Sequence, residues 1–312
     1  MEAILDLQHV TKRYGKRKVL KDISFSAAKG EIIALLGRNG TGKSTLMNII
    51  TGYLCQTSGD IKVCGQDVLL NPIEIRKQIG YLPEQPPLYS DMTVREYLHY
   101  CGQLRGLPRQ EQKREAERVI ELTGLKEYAS RLSGRLSKGY KQRLGVAQAL
   151  LGHPAVLILD EPGSGLDPLQ MVQMRDVIRT AGEDSTILLS SHLLSEVTNV
   201  CHRAIVIDEG YVRYDGSMAE LLHGSASIRL KYQGSRALAE QLAQLPFVTD
   251  VAFEVCDEAN VQQITIHHEV GADLRAQVSS LCISSGCNLL EITAAGALED
   301  AFLHVIGQKE DA

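Results

Sequence analysis

The stretch Gly37-Arg38-Asn39-Gly40-Thr41-Gly42-Lys43-Ser44-Thr45 constrains this chain more than any other. Ahead of it, the apolar run Ile32-Ile33-Ala34-Leu35-Leu36 reads as a buried strand. Behind it, Thr45-Leu46-Met47-Asn48-Ile49-Ile50 reads as the start of a helix with an apolar face. Strand, glycine loop and helix start together make an anion cradle. Glycines let backbone N–H groups turn inward with no Cβ in the way, and the helix dipole adds partial positive charge. Lys43 is placed to reach β- and γ-phosphates, and the Ser44 hydroxyl to ligate Mg²⁺. At average composition such spacing arises by chance in about one per cent of chains this long. The strand and helix flanks therefore carry as much of the argument as the glycines.

A second acidic stretch fits the first. Asp160-Glu161 follows the apolar run Val156-Leu157-Ile158-Leu159. An acid at the C-terminal end of a parallel strand stands where ligands bind in such sheets. Asp160 suits a water-mediated hold on Mg²⁺, and Glu161 suits the orientation of an attacking water.

The rest of the chain alternates strands with helices, which predicts an α/β domain with a mostly parallel sheet. Strands are expected at 3–9, 19–25, 61–65, 186–190 and 204–208. A turn is expected at Thr11-Lys12-Arg13-Tyr14-Gly15, and helices at 73–80, 168–182 and 193–200. Residues 88–150 read as a helical insert, entered through the capping-box pair Thr93 and Glu96. His223-Gly224-Ser225-Ala226-Ser227 is the expected domain boundary, separating 1–223 from 225–312. Beyond it, strand 228–232, helix 236–245, strands 248–255 and 262–268, helix 271–285 and strand 288–293 give a β-α-β-β-α-β order. That order suggests a small ferredoxin-like module. A last amphipathic helix is expected from Leu298 to Val305.

Bulk properties narrow the function. A net charge of −5, the absence of Trp and few aromatics argue against a nucleic-acid partner. The seven cysteines are odd in number and include no C-x-x-C pair, so free thiols in a reducing cytosol are expected. No signal-peptide h-region and no membrane-length apolar stretch is evident, so any service to a membrane would run through a partner chain.

Leu136-Ser137-Lys138-Gly139-Tyr140-Lys141-Gln142-Arg143 resembles the signature stretch of ATP-binding cassette (ABC) ATPases and lies just upstream of the Asp160 strand, as in that family. The resemblance implies a P-loop ATPase of the transporter type that uses ATP and Mg²⁺. Ser137 and Gly139 would then face ATP held on the other subunit of a head-to-tail dimer, either a homodimer or a heterodimer with a paralogue. Tyr14 resembles the aromatic that stacks on adenine, though an ordinary turn tyrosine also fits. Ser164-Gly165-Leu166-Asp167 resembles the loop that links the two sites. His192 resembles the histidine at the γ-phosphate, and capping the next helix is the plainer alternative.

Two departures stand out. Lys138 and Tyr140 occupy positions usually held by Gly and Gln, and Glu84, followed by Gln85, stands where the switch-loop Gln is usual. Either Glu84 or Gln85 could serve the Mg²⁺ shell. Both variations, and the tail from Gly296 to Leu303, resemble a subgroup of exporter ATPases that work with separately encoded, multi-span membrane permeases. The resemblance implies a protein peripheral on the cytoplasmic face of the cell membrane. A groove beside the helical insert would receive a permease helix, with Pro86-Pro87-Leu88-Tyr89 either docking it or packing a loop. The competing functions are a cassette ATPase acting on ribosomes or DNA, and a nucleotide-dependent regulatory module without turnover.

Overall fold

The computed structural model describes residues 3–191, 197–223, 226–254, 260–268 and 274–294, with single positions beyond them (298, 302, 305 and 306). The chain divides into two compact units, Met1–Gly216 and Ser217–Ala312. This division falls a few residues ahead of the glycine-serine stretch expected to mark it.

In the first unit, β1 (Ala3–Tyr14), β2 (Arg17–Ala28), β4 (Ser58–Val63) and β5 (Gln66–Asp67) form an antiparallel sheet in the order β2-β1-β4-β5. Between them in sequence come β3 (Ile32–Leu36) and α1 (Lys43–Ile50). Then follow α2 (Pro72–Gln78), β6 (Ile79–Leu82), α3 (Val94–Leu104), α4 (Arg109–Leu122), α5 (Lys138–Ala149) and β7 (Val156–Asp160). The unit closes with α6 (Pro168–Asp184), β8 (Thr186–Ser190), β9 (Arg203–Asp208) and β10 (Tyr211–Ser217). The second sheet runs β10-β9-β3-β8-β7-β6. Its β6–β7, β7–β8, β8–β3 and β3–β9 pairings are all parallel. Strands β3, β7 and β8 are buried at every residue, as strands covered on both faces must be.

One core joins the two sheets. Leu46, Met47, Ile49 and Ile50 of α1 pack in a single cluster with Leu5 and Leu7 of β1, Ile61 of β4 and alternate residues of the parallel strands (Ile33, Leu35, Val156, Ile158, Ile205, Ile207). The expected capping box forms at α3. Thr93 Oγ1 accepts from the Glu96 N–H at 3.3 Å, and the Glu96 carboxylate accepts from the Thr93 N–H at 2.9 Å.

Three expectations need correction. Thr11 to Tyr14 is not a turn: β1 runs to Tyr14, pairing it with Arg17, and bulges after Leu7 and Val10 absorb the broken alternation that hides the strand in the sequence. The helix expected to reach Gly80 stops at Gln78, and Ile79–Leu82 is the edge strand β6. Ile79 and Leu82 are buried, and a Cβ at Gly80 would collide with the Ala149 carbonyl oxygen, so sheet packing outweighs local helical spacing. Strand β10 was not anticipated, because its seven residues lack a buried alternation. The first half of the helix expected at 193–200 lies outside the described residues, as does most of the final helix.

The second unit contains α7 (Met218–His223), β11 (Ala226–Gln233), α8 (Ala237–Leu242), β12 (Val248–Glu254), β13 (Val261–His268), α9 (Arg275–Ser284) and β14 (Asn288–Ala294). Its sheet order is β12-β13-β11-β14, antiparallel throughout, which is the ferredoxin-like arrangement expected from the element order. Ile228, Leu230, Tyr232, Ile264 and Ile266 share one face, where Leu238 and Leu242 of α8 and Val278 and Cys282 of α9 complete the core. The alternate residues Arg229, Gln263 and Thr265 meet Glu254 on the other face.

A buried carboxylate ties the helical insert together. Glu115 of α4 is 3% exposed and accepts from Arg118 Nη2 at 2.8 Å and from the Gly152 N–H at 3.2 Å, while Arg118 also donates to the Leu150 carbonyl at 2.9 Å. Burial pushes the Glu115 carboxyl up, but the Arg118 bonds and charge and the Gly152 N–H outweigh it and leave it below the ordinary glutamate value of 4.5. A carboxyl depressed in the folded state stabilises above its unfolded value, and that stabilisation fades as pH falls below about 4.5. Glu115→Gln is therefore expected to cost about 2 kcal/mol at pH 7. In urea unfolding, the gap between variant and parent should shrink as pH drops through 4.

Candidate nucleotide site at the strand ends

Parallel pairing gathers the site. Register sets Asp160 beside Ser190, Leu159 beside Leu82, and Leu35 beside Ser190. Four strands thus end along one edge, and each hands its next residues to the same region: Gly37 to Gly42 after β3, Glu84 after β6, Asp160-Glu161 closing β7, and Ser190-Ser191 closing β8. Ligand sites in parallel sheets form at such an edge.

A cavity of about 350 Å³ opens there. Asn39, Gly40, Gly42, Lys43, Ser44 and Thr45 line one side of it, with Glu84, Asp160, Glu161, Ser164 and Val19 around the rest. Gly42 caps α1 at φ 111°, a backbone that favours glycine, and a Cβ there would stand 2.6 Å from Leu20. It offers no side chain to cap the first N–H groups of the helix, so these remain suited to an anion. Gly37 has no room for a side chain either, because its Cβ would strike the Ile207 carbonyl oxygen. Thr41 Oγ1 closes the loop by donating to the Arg38 carbonyl at 2.9 Å.

Lys43 is buried and folds back on the loop, donating from Nζ to the carbonyls of Gly37 at 2.6 Å and Arg38 at 3.0 Å. Burial pushes its ammonium below the ordinary lysine value, while the charges of Glu161 and Asp160 pull the other way. A phosphate oxygen would offer that ammonium a stronger, charged acceptor than those carbonyls.

Asp160 is buried and accepts from Ser190 Oγ at 2.5 Å. The same hydroxyl accepts from the Glu161 N–H at 3.1 Å. Ser190 therefore ties the Asp160 carboxylate to the backbone of Glu161, a role that its sequence position at the end of an apolar strand does not announce. The one available signal was a lone hydroxyl ending Thr186-Ile187-Leu188-Leu189, and it gains meaning only once the register is known. Glu161 takes φ 52°, a left-handed backbone that costs a glutamate roughly 1–3 kcal/mol. It is held there from outside: its carbonyl accepts from Gln142 Nε2 at 3.1 Å and from the Ser164 N–H at 3.0 Å.

The other expected site residues are dispersed. Glu84 lines the phosphate cavity, whereas Gln85 lines the neighbouring clefts. Ser137 caps α5 by accepting from the Tyr140 N–H at 3.5 Å, and neither it nor Gly139 lines this chain's own cavity. Tyr14 lies half-exposed at the tip of the β1–β2 hairpin, with Lys12 Nζ 5.1 Å from its ring centre. His192 lies outside the described residues. Asn39, Gly40 and Thr45 line the cavity, and Arg38 contributes its carbonyl to Lys43.

The oxygen donors Ser44, Glu84 and Asp160 fit a hard divalent cation such as Mg²⁺. Among the described residues, no group of three or more His, Cys, Asp or Glu is placed to hold a metal by itself.

A strand–glycine loop–helix carrying lysine and serine, with two acids at the end of a parallel strand of the same sheet, one strand (β8) away, defines a P-loop nucleoside triphosphatase. A family model described as ABC transporter matches residues 20–164. The bacitracin transport ATP-binding protein BcrA of Bacillus licheniformis is 32% identical over 98% of this chain and 98% of its own length. The linearmycin resistance ATP-binding protein LnrL of Bacillus subtilis is 33% identical over 98% of this chain and 99% of its own. A solved ATP-binding subunit of an ABC transporter superposes with a TM-score of 0.65 at 30% identity, covering 70% of this chain and 91% of that one. The chain belongs to the ABC transporter family, as an ATP-binding and ATP-hydrolysing subunit. These relatives favour a transporter over a ribosome- or DNA-acting cassette. Among the described residues no helix is long and apolar enough to cross a membrane.

Ser190→Ala removes the hydroxyl shared by the two acids. Turnover at saturating ATP is expected to fall about tenfold, the lower end for a partner that orients catalytic groups. Nucleotide affinity, measured by fluorescent ATP analogue titration, should stay within about twofold.

Proposed function

We propose that this chain powers export through a separate multi-span permease, docked peripherally on the inner face of the cell membrane. Two copies, or one copy and a paralogue, sandwich two Mg-ATP molecules head to tail. Each nucleotide sits between one subunit's Lys43 loop and the Ser137–Gly139 helix start of the other. The observation that carries this reading is the single cavity in which Lys43, Ser44, Glu84, Asp160 and Glu161 converge.

In this account Gly37 to Thr45 grip the phosphates, and Lys43 exchanges its loop carbonyls for phosphate oxygen. Tyr14 stacks on the adenine and His192 contacts the γ-phosphate. Ser44, Asp160 and Glu84 hold Mg²⁺, which when bound supplies neutralising charge to the phosphates; Glu84 is preferred to Gln85 because it lines the cavity. Glu161 accepts the proton of the attacking water. ATP favours the closed dimer through contacts available only there, and hydrolysis reopens it. The apolar cleft between β6 and the helical insert, about 770 Å³ and lined by Ile79, Pro83, Gln85 and Pro87, suits a helix of the permease. Bacitracin transport, which the name of one relative states for that protein, fits this scheme.

Glu161→Gln tests the chemistry. Turnover should fall at least about a hundredfold while an ATP-loaded dimer accumulates in gel filtration. Retained hydrolysis would remove Glu161 from the mechanism. Glu84→Ala is expected to raise the Mg²⁺ concentration needed for half-maximal turnover several-fold, with Gln85→Ala close to the parent; the reverse ranking would transfer the role to Gln85. Recovery of ribosomal proteins instead of a polytopic membrane protein in pull-downs from solubilised membranes would overturn the transporter assignment.

A further inference from the structure

Lys138 stands where the family pattern has a glycine, so its side chain has no counterpart in that pattern. It is the first residue of α5, directly after the Ser137 cap. Its ammonium donates to Ser164 Oγ at 3.3 Å. Its aliphatic stem lies over Gly165: a Cβ built at that glycine would stand 2.5 Å from Cδ and 2.7 Å from Cε and Nζ. Gly165 has φ 76°, so the lysine packs against a turn whose backbone favours glycine.

Four residues further along α5, on the same helix face, Gln142 donates to the Glu161 carbonyl at 3.1 Å. The Ser164 N–H donates to that same carbonyl at 3.0 Å. One face of α5 therefore holds both ends of the turn from Glu161 to Gly165. Ser164 and Glu161 also line the phosphate cavity together. The left-handed backbone of Glu161 makes this hold consequential, since nothing in its own conformational preference keeps the acid there.

We propose that Lys138 is a positioning residue for ATP hydrolysis: by pinning Ser164 and Gly165 to the start of α5, it fixes where Glu161 stands within the same subunit. The inference rests on Glu161 acting on the attacking water. It adds a link inside one chain, from the helix start that bears Ser137 to the turn that bears the acid. Lys138 is exposed, so its removal leaves the core intact and its effect is read in turnover rather than in folding.

The test is a double-substitution cycle on the full chain. Lys138→Met keeps the stem and removes the donor; Lys138→Arg restores a donor; Ser164→Ala removes the acceptor. Lys138→Met should lower kcat about tenfold, with KM for ATP within about twofold and Tm unchanged. Lys138→Arg should recover most of that loss. Ser164→Ala should cost a similar factor, and the double variant should cost no more than either single one. Parental kcat in Lys138→Met would overturn the proposal. So would independent, multiplying losses in the double variant, which would instead place Lys138 against the neighbouring subunit's nucleotide. A loss of kcat that follows a fall in Tm and resists rescue by arginine would reduce the lysine to a structural role. Should Glu161→Gln leave hydrolysis intact, the underlying mechanism fails, and that result is separate from every outcome of the cycle.

Discussion

The parallel register of four strands is the constraint on which the rest depends. The glycine loop, Glu84, the paired acids and Ser190 are spread over about 150 residues of sequence. They meet because β3, β6, β7 and β8 end on one line. Hydrogen-bonded pairing sets that line to within a residue, since a slip of one position would turn every side chain to the opposite face. The core reinforces it: alternate residues of these strands pack with α1, so the element that begins the phosphate cradle is fixed to the sheet that carries the acids.

Within this frame the electrostatics are deliberately unbalanced. Three carboxylates and one ammonium line the cavity, and the ammonium is partly desolvated and occupied with backbone carbonyls. Such an arrangement waits for a ligand that brings both negative phosphate and positive charge. The second unit is built on a different logic. Its antiparallel sheet keeps both helices on one face and leaves a polar face with its own Arg229–Glu254 ion pair.

What the sequence discloses and what it withholds follow from the range of the interactions. The phosphate loop, the capping box at Thr93 and the order of the ferredoxin-like unit were legible because each rests on neighbours in sequence. Ser190 was not, because its role exists only through its alignment with Asp160 on another strand. Glu84 and Gln85 are adjacent and chemically similar in size, so only the direction of the chain leaving β6 separates them. The edge strand β6 and the extension of β1 to Tyr14 were obscured for the same reason: long-range pairing overrode a local pattern.

The backbone of Glu161 has a consequence for how this molecule can change. Asparagine and glycine both occupy a left-handed conformation more comfortably than glutamate. Selection for heat resistance alone would therefore enrich such replacements at 161, yielding sturdier copies that, on the role proposed for Glu161, have lost their motor stroke. Thermal hardiness and work output pull this single position in opposite directions.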